Sequence, residues 1–152
     1  MGFIELETLV RAQLDAVFDL SRNVEAHTKS MKRSGEKAVD GVTAGMISLD
    51  EEVTWRGRHF GLTFHMTSRI TEFDGPRLFV DEQVRGPFKS WWHGHYFEPH
   101  ERGTLMTDRV RYEAPFGLLG SLVDRVFLHR YMAGLLMERN RYIKDTLESQ
   151  RS

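Results

Sequence analysis

The chain has 152 residues, 21 Lys plus Arg against 22 Asp plus Glu, a formal net charge of -1 and no cysteine. Such a length fits one domain over 1–152, and charges so evenly matched give no field of one sign to draw in nucleic acid or anionic lipid. The missing cysteines exclude a disulfide framework, a thiolate nucleophile and a thiolate zinc site.

The N-terminus carries Glu5 and Glu7 where a signal peptide wants basic residues, and it lacks an apolar h-region. The most apolar stretch, Val123 to Met137, is broken by Asp124, Arg125, His129 and Arg130, so it cannot cross a bilayer. A soluble, cytoplasmic protein is expected, without cofactor or metal.

In chain order, Phe3 to Val10 alternates with period two, Ile4 and Leu6 opposite Glu5 and Glu7, and predicts a half-buried strand. Leu14, Val17, Phe18 and Leu20 fall at helical spacing, and Ser21-Arg22-Asn23 offers a cap before a second short helix at Val24 to His27. Turn residues then recur at Gly35, Asp40-Gly41, Gly45, Gly61, Asp74-Gly75-Pro76, Gly86-Pro87 and Arg102-Gly103. The Val-, Thr- and aromatic-rich runs between them predict about six antiparallel strands. Asp40 to Gly45 reads as a loop, with a lid as the alternative.

After Pro115-Phe116-Gly117 the period becomes helical. Leu118, Leu119, Leu122, Val126, Ala133, Leu136, Met137, Ile143 and Leu147 mark an inward stripe on a helix of about 30 residues. Phe127, Tyr131, Leu135 and Tyr142 are expected on the opposite face, where they suggest a partner surface and a possible homodimer. A curved sheet gripping this helix leaves a cavity, because small residues such as Ala133 and Gly134 cannot fill the concavity.

Val53-Thr54-Trp55, His59-Phe60-Gly61, Asp81-Glu82, Gly86-Pro87-Phe88, His93-x-His95-x-Phe97, Gly103-Thr104, Asp108 and Pro115-Phe116-Gly117 occur in an order that resembles the START-like, Bet v 1-like SRPBCC superfamily, with its polyketide cyclase/dehydrase relatives. The resemblance runs from about residue 3 to 147. It implies an α+β helix-grip fold, with a curved antiparallel sheet of about seven strands around a long C-terminal helix and two short helices after the first strand. It implies a hydrophobic-ligand cavity but no particular reaction.

The stretch Ser90 to Thr104, SWWHGHYFEPHERGT, holds three histidines. Alternation puts Trp91, His93, His95 and Phe97 on one face. Met106, Asp108, Val110 and Tyr112 form the inward row of the next strand, and a turn at His100 to Gly103 sets His95 against Asp108. A two-residue turn at Gly86-Pro87 would pair Glu82 with Trp91 and Val80 with His93. The predicted ligand-binding residues are therefore Trp55, Phe64, Glu82, Trp91, His93, His95, Asp108, Tyr112, His129 and Ala133. Several roles are open to the histidines: partners for buried carboxylates, ligand contacts, or acid-base groups with Asp108 in a cyclase or dehydrase. No catalytic residue is assigned. A hydrophobic or amphipathic small molecule is the expected partner.

Overall fold

The computed structural model describes residues 1–114 and 122–150, with the side chains of 122–124 excepted. Its element order is β1 (Gly2–Val10), α1 (Leu14–Ser21), α2 (Val24–Ser30), β2 (Lys37–Gly41), β3 (Glu52–His59), β4 (Leu62–Asp74), β5 (Leu78–Arg85), β6 (Ser90–His100), β7 (Gly103–Glu113) and α3 (Leu122–Ser149). The seven strands form one antiparallel sheet in the order β1-β7-β6-β5-β4-β3-β2. This is the expected helix-grip architecture.

Local chemistry accounts for the boundaries. The Asn23 side chain accepts the Ala26 N–H at 2.8 Å and starts α2. Phe60 and Gly61 both have positive φ, 56° and 77°, in the two-residue turn that joins β3 to β4. In the Asp40 to Gly45 segment, Gly45 N–H donates to Glu25 at 2.6 Å and its carbonyl accepts from Val24 N–H at 2.9 Å. The segment read as a possible lid is thus fastened to α2.

Register shifts within β4 at Thr67/Ser68 and Ile70/Glu72 are bulges, and bulges bend a strand. Helix α3 has 28 residues, about 42 Å at 1.5 Å per residue. Its backbone approaches β1, α1 and α2 most closely, with no comparable approach to the middle strands β3 to β6 among the described residues. The sheet curves away there and the helix stands off.

Two apolar clusters hold the ends. In one, Phe18 from α1 packs edge-on against Phe73, Phe79 and Phe97 at ring separations of 5.4, 5.7 and 5.3 Å. Burying a side chain of this size stabilises the fold by roughly 1.5–3 kcal/mol. The other joins Ile4, Trp91, Val110 and Tyr112 to Leu128 and Leu136 of α3.

The phase of α3 differs from the predicted stripe. Val126 and Met137, expected inward, are 43% and 56% exposed, whereas Leu135, expected outward, is 2% exposed. Among the described side chains the buried set of α3 is Leu128, Leu135, Leu136, Arg139, Asn140, Ile143 and Leu147, with a step of seven from Leu128 to Leu135 and then steps of three and four apart from the adjacent pairs. A polar pair, Arg139 and Asn140, belongs to the stripe; Asn140 falls on the stripe expected from the sequence, and Arg139 is the addition. The expected outer aromatic face is correspondingly reduced: Tyr131 and Tyr142 are half-buried and Phe127 is exposed. Leu118 and Leu119, with the Pro115-Phe116-Gly117 turn, lie outside the described residues.

Candidate functional site

Between the sheet and α3 is a cavity of about 430 Å³, lined among others by Trp55, Phe64, Met66, Phe79, Trp91, Met132, Leu135 and Leu136. That volume lies within the roughly 300–1,000 Å³ common for small-molecule sites. The wall is apolar because inward positions of β3 to β6 alternate with outward polar ones, and α3 supplies Met and Leu opposite.

Polar groups gather at its inner end. The β6–β7 register places His95 across from Asp108 and His93 across from Val110, as the turn at His100 to Gly103 predicts. Yet the short bond runs diagonally: His93 Nε2 is 2.7 Å from Asp108 Oδ1, and His95 Nδ1 is 3.6 Å from the same oxygen. His95 Nε2 instead meets Asp81 Oδ2 at 2.6 Å, and His93 Nδ1 lies 3.8 Å from that oxygen. The two imidazoles stack at 3.7 Å, and Phe79 stacks on the other side of His95 at 4.0 Å. From α3, Arg139 Nη1 donates to Asp108 Oδ1 at 3.3 Å and to Asn140 Oδ1 at 2.9 Å, and Asn140 Nδ2 donates to Asp108 Oδ2 at 2.7 Å. Asp108 is 0% exposed, His93 5%, His95 4% and Arg139 4%.

The donors fix the tautomer of His95. A guanidinium can only donate, and Arg139 Nη2 is 3.2 Å from His95 Nδ1, so that nitrogen accepts and Nε2–H donates to Asp81. Burial, together with electrostatic repulsion from the neighbouring His93 and Arg139, holds its pKa down to about 3 against the opposing pull of Asp81. His95 is neutral near pH 7. Burial alone would raise both carboxylates, but hydrogen bonds from the histidines and the positive charge of Arg139 outweigh it, and Asp81 and Asp108 both lie below the ordinary range.

Asp81, His93 and His95 also bring three donor atoms within 4.8 Å of one another, a spacing a metal ion can use. Their present use is different. His95 Nε2 is bonded to Asp81 and Nδ1 faces a guanidinium, so a bound cation would have to break the first contact beside a positive charge.

A second polar group lies along the same cavity. Glu36 accepts from His27 at 3.0 Å and from Ser34 at 3.1 Å, and His59 Nε2 is 4.0 Å away. His59 Nδ1 bonds Tyr131 Oη at 2.7 Å, and the His27 ring lies tilted against Trp55, 4.1 Å between centroids. Burial lowers the His59 pKa, with Glu36 opposing; burial tends to raise Glu36, but the His27 bond and charge prevail and lower it. On α3, Tyr131 and Arg139 are eight residues apart, about 12 Å along the axis, with Met132, Leu135 and Leu136 lining the cavity between them.

Comparison with known proteins agrees with this geometry. A family model described as polyketide cyclase / dehydrase and lipid transport matches residues 10–132. The chain belongs to that family. No curated protein sequence matches. Among solved structures, a Thermus thermophilus protein superposes with TM-score 0.73 at 16% identity, covering 93% of this chain and 97% of that one. Ginseng major latex-like protein 151 from Panax ginseng gives 0.67 at 16% identity over 96% and 97%, and a protein of unknown function from Staphylococcus aureus gives 0.74 at 10% over 99% and 95%. At these identities the likeness establishes the fold, which is Bet v 1-like.

Within this polyketide cyclase/dehydrase-family fold, Trp55, Phe64, Trp91, His93 and His95 line the cavity. Asp108 stands behind the histidines. Tyr112 and His129 meet each other, Oη to Nδ1 at 3.4 Å, and Ala133 packs by the second apolar cluster; these three do not reach the lining. Glu82 is also outside it, and the cause is a register difference. Residues 86–89 make a four-residue connection, with the Gln83 side chain bonded to both Phe88 N–H and Phe88 carbonyl at 3.2 and 2.8 Å. Glu82 therefore pairs with Trp92 and Asp81 with His93, one residue from the expected pairing. Period two turns that slip into an exchange of faces.

Asp81, Arg139, Glu36, His27 and Tyr131 were not predicted for the site. An arginine three or four residues from Leu135, Leu136 and Ile143, and next to Asn140, is a signal in the sequence for a buried charge on α3. Glu36 and His27 have none, because their meeting depends on how α2 and the loop after it cover the sheet.

Proposed function

We propose that the protein binds a hydrophobic or amphipathic small molecule in the cavity between sheet and α3. The observation that supports this best is the 430 Å³ space itself, whose wall is largely aromatic and aliphatic while its polar side chains gather at two places. Apolar area removed from water would drive binding, and a few polar groups would orient the ligand. Family membership supports the same reading. Native mass spectrometry of freshly purified protein, together with titration by a neutral fluorescent apolar probe, tests it. A ligand-sized mass increment or saturable probe binding is expected; absence of both would remove the reading.

A second reading is an acid-base enzyme of the cyclase or dehydrase type. It is favoured by the His93 and Asp108 contact of 2.7 Å beside the cavity wall. In this reading His93 exchanges the substrate proton and Asp108 orients the ring. His95, neutral and with both ring nitrogens engaged, acts through position. His93→Ala would then abolish turnover while leaving ligand affinity within about threefold. Loss of affinity with no turnover to lose favours the binder.

A further inference from the structure

The exposed apolar side chains of the β3–β4 turn meet those of the first two turns of α3. Phe60 and Leu62 are 54% and 62% exposed, and Val126 and Phe127 are 43% and 56% exposed. The Phe60 ring lies 5.5 Å from Phe127 and 4.6 Å from Tyr131, so turn and helix form one patch. Phe60 and Tyr131 also line the cavity, and the patch therefore continues into it. Phe60 sits at φ 56°, a left-handed position where a two-residue hairpin turn prefers Asn or Gly and a bulky side chain is unfavourable. The turn thus presents an aromatic ring to solvent against both hydration and backbone preference.

Charge around the patch is one-sided, although the chain as a whole is balanced. Segments 30–35, 53–65 and 125–137 contain Lys32, Arg33, Arg56, Arg58, Arg125 and Arg130 and no Asp or Glu. They converge here: the Ser34 carbonyl accepts the Arg58 N–H at 2.8 Å, Arg33 lies over the Tyr131 ring at 5.7 Å, and Arg130 is three and four residues from Phe127 and Val126 on α3. Arg58 Nη2 donates to the Gly61 carbonyl at 3.0 Å, which holds its guanidinium at the tip of the turn. Of the acids at the borders, Glu36 accepts from His27 and Ser34, and Glu138 pairs with Arg33 at 3.2 Å. With Asp124 added, the basic groups still outnumber them.

We propose that this rim docks on an anionic lipid bilayer, with Phe60, Leu62 and Phe127 entering the boundary between head groups and acyl chains and Arg58 and Arg130 meeting lipid phosphates. Apolar area leaving water and attraction to anionic head groups add in such a contact. A protein partner would also cover the apolar patch, but the one-sided charge fits a surface of phosphates. The docking stands apart from the binding reading above; where both hold, the cavity opens onto the bilayer and an apolar molecule passes between them without crossing water.

Flotation of the full-length protein with vesicles of phosphatidylcholine alone, and of phosphatidylcholine mixed with phosphatidylglycerol, tests this. Partition onto the mixed vesicles is expected to exceed that onto the neutral ones roughly tenfold and to fall as salt rises. Phe60→Asn, which places a favoured residue at the left-handed position, combined with Phe127→Ser is expected to lower it roughly tenfold. Arg58→Gln and Arg130→Gln should lower it about fivefold each, and they keep the test open if the aromatic variant fails to fold. Leu49→Ser, which removes an exposed apolar side chain beyond the opposite end of β3, should leave it unchanged. Partition no better on mixed than on neutral vesicles would overturn the proposal, as would a loss in Leu49→Ser equal to that in the rim variants. A dimer in sedimentation velocity that Phe60→Asn dissociates, without vesicle binding, would assign the patch to a second copy and overturn it as well. Failure of the binding reading shows separately, as loss of probe titration with flotation intact.

Discussion

The inner and outer polar groups of the cavity are built from the same materials, two histidines and carboxylate, yet their surroundings differ. Around Asp108 the side chains are dry, stacked and closed by Arg139 and Asn140. Around Glu36 the carboxylate is 12% exposed and His27 and His59 are 24% and 19% exposed. Water near the second group screens charge and replaces lost bonds, whereas Asp108, His93 and His95 have only protein to answer them; Asp81, with 20% of its side chain exposed, is the exception at that end. Ionisation at the inner end is therefore a structural commitment, and at the outer end it is an adjustable property of the rim.

Matched isosteric substitutions sharpen this contrast most. Asp108→Asn removes the charge that faces His93 and Arg139 and is expected to lower unfolding free energy by about 3–5 kcal/mol. Glu36→Gln should cost about 1 kcal/mol. Urea denaturation measures both, and equal losses would break the comparison.

Acid titration separates the ends next. His95 has a folded pKa of about 3 against an ordinary 6.5. Its stabilising contribution is complete above 6.5 and is lost as the pH falls toward 3, because the unfolded chain takes up the proton first. Asp81 and Asp108, also depressed, add their losses only below the ordinary carboxylate value of 3.8. The thermal midpoint should therefore decline between about pH 6.5 and 4, and His95→Gln should flatten that part of the curve. An unchanged slope in the variant would count against the neutral His95 tautomer.

Smaller effects belong to the rim and the surface. Tyr131→Phe removes the 2.7 Å bond to His59 and should cost about 1 kcal/mol or less. Arg109→Ala breaks a pair with Glu5 in which both side chains are about half exposed, 49% and 45%, and should change stability by no more than about 0.5 kcal/mol. Should the second substitution prove the costlier, burial would not be what ranks these groups.

Much of this arrangement is legible in the chain. Strand period two puts His93, His95 and Phe97 on one face, and the short turn at His100 to Gly103 marks that face as inward by correctly setting His95 opposite Asp108. The choice of bonding partner is not legible, since a cross-strand neighbour and a diagonal one are both within reach of an imidazole. The diagonal His93 holds Asp108 more closely because Asp81 and Arg139 engage His95 from its other sides.

Short-range periodicity and turn chemistry were thus enough to establish the order of elements and the inward row of histidines, while the order of the motifs carried the resemblance to the family. Packing was needed to bring Asp81, and not Glu82, into the cavity, since the four-residue connection at 86–89 shifts the pairing by one. Packing also set the phase of α3 and the meeting of Glu36, His27, His59 and Tyr131. Those outcomes depend on contacts between segments far apart in the chain, where the fit against a curved sheet, and not local pattern, sets which side chains meet.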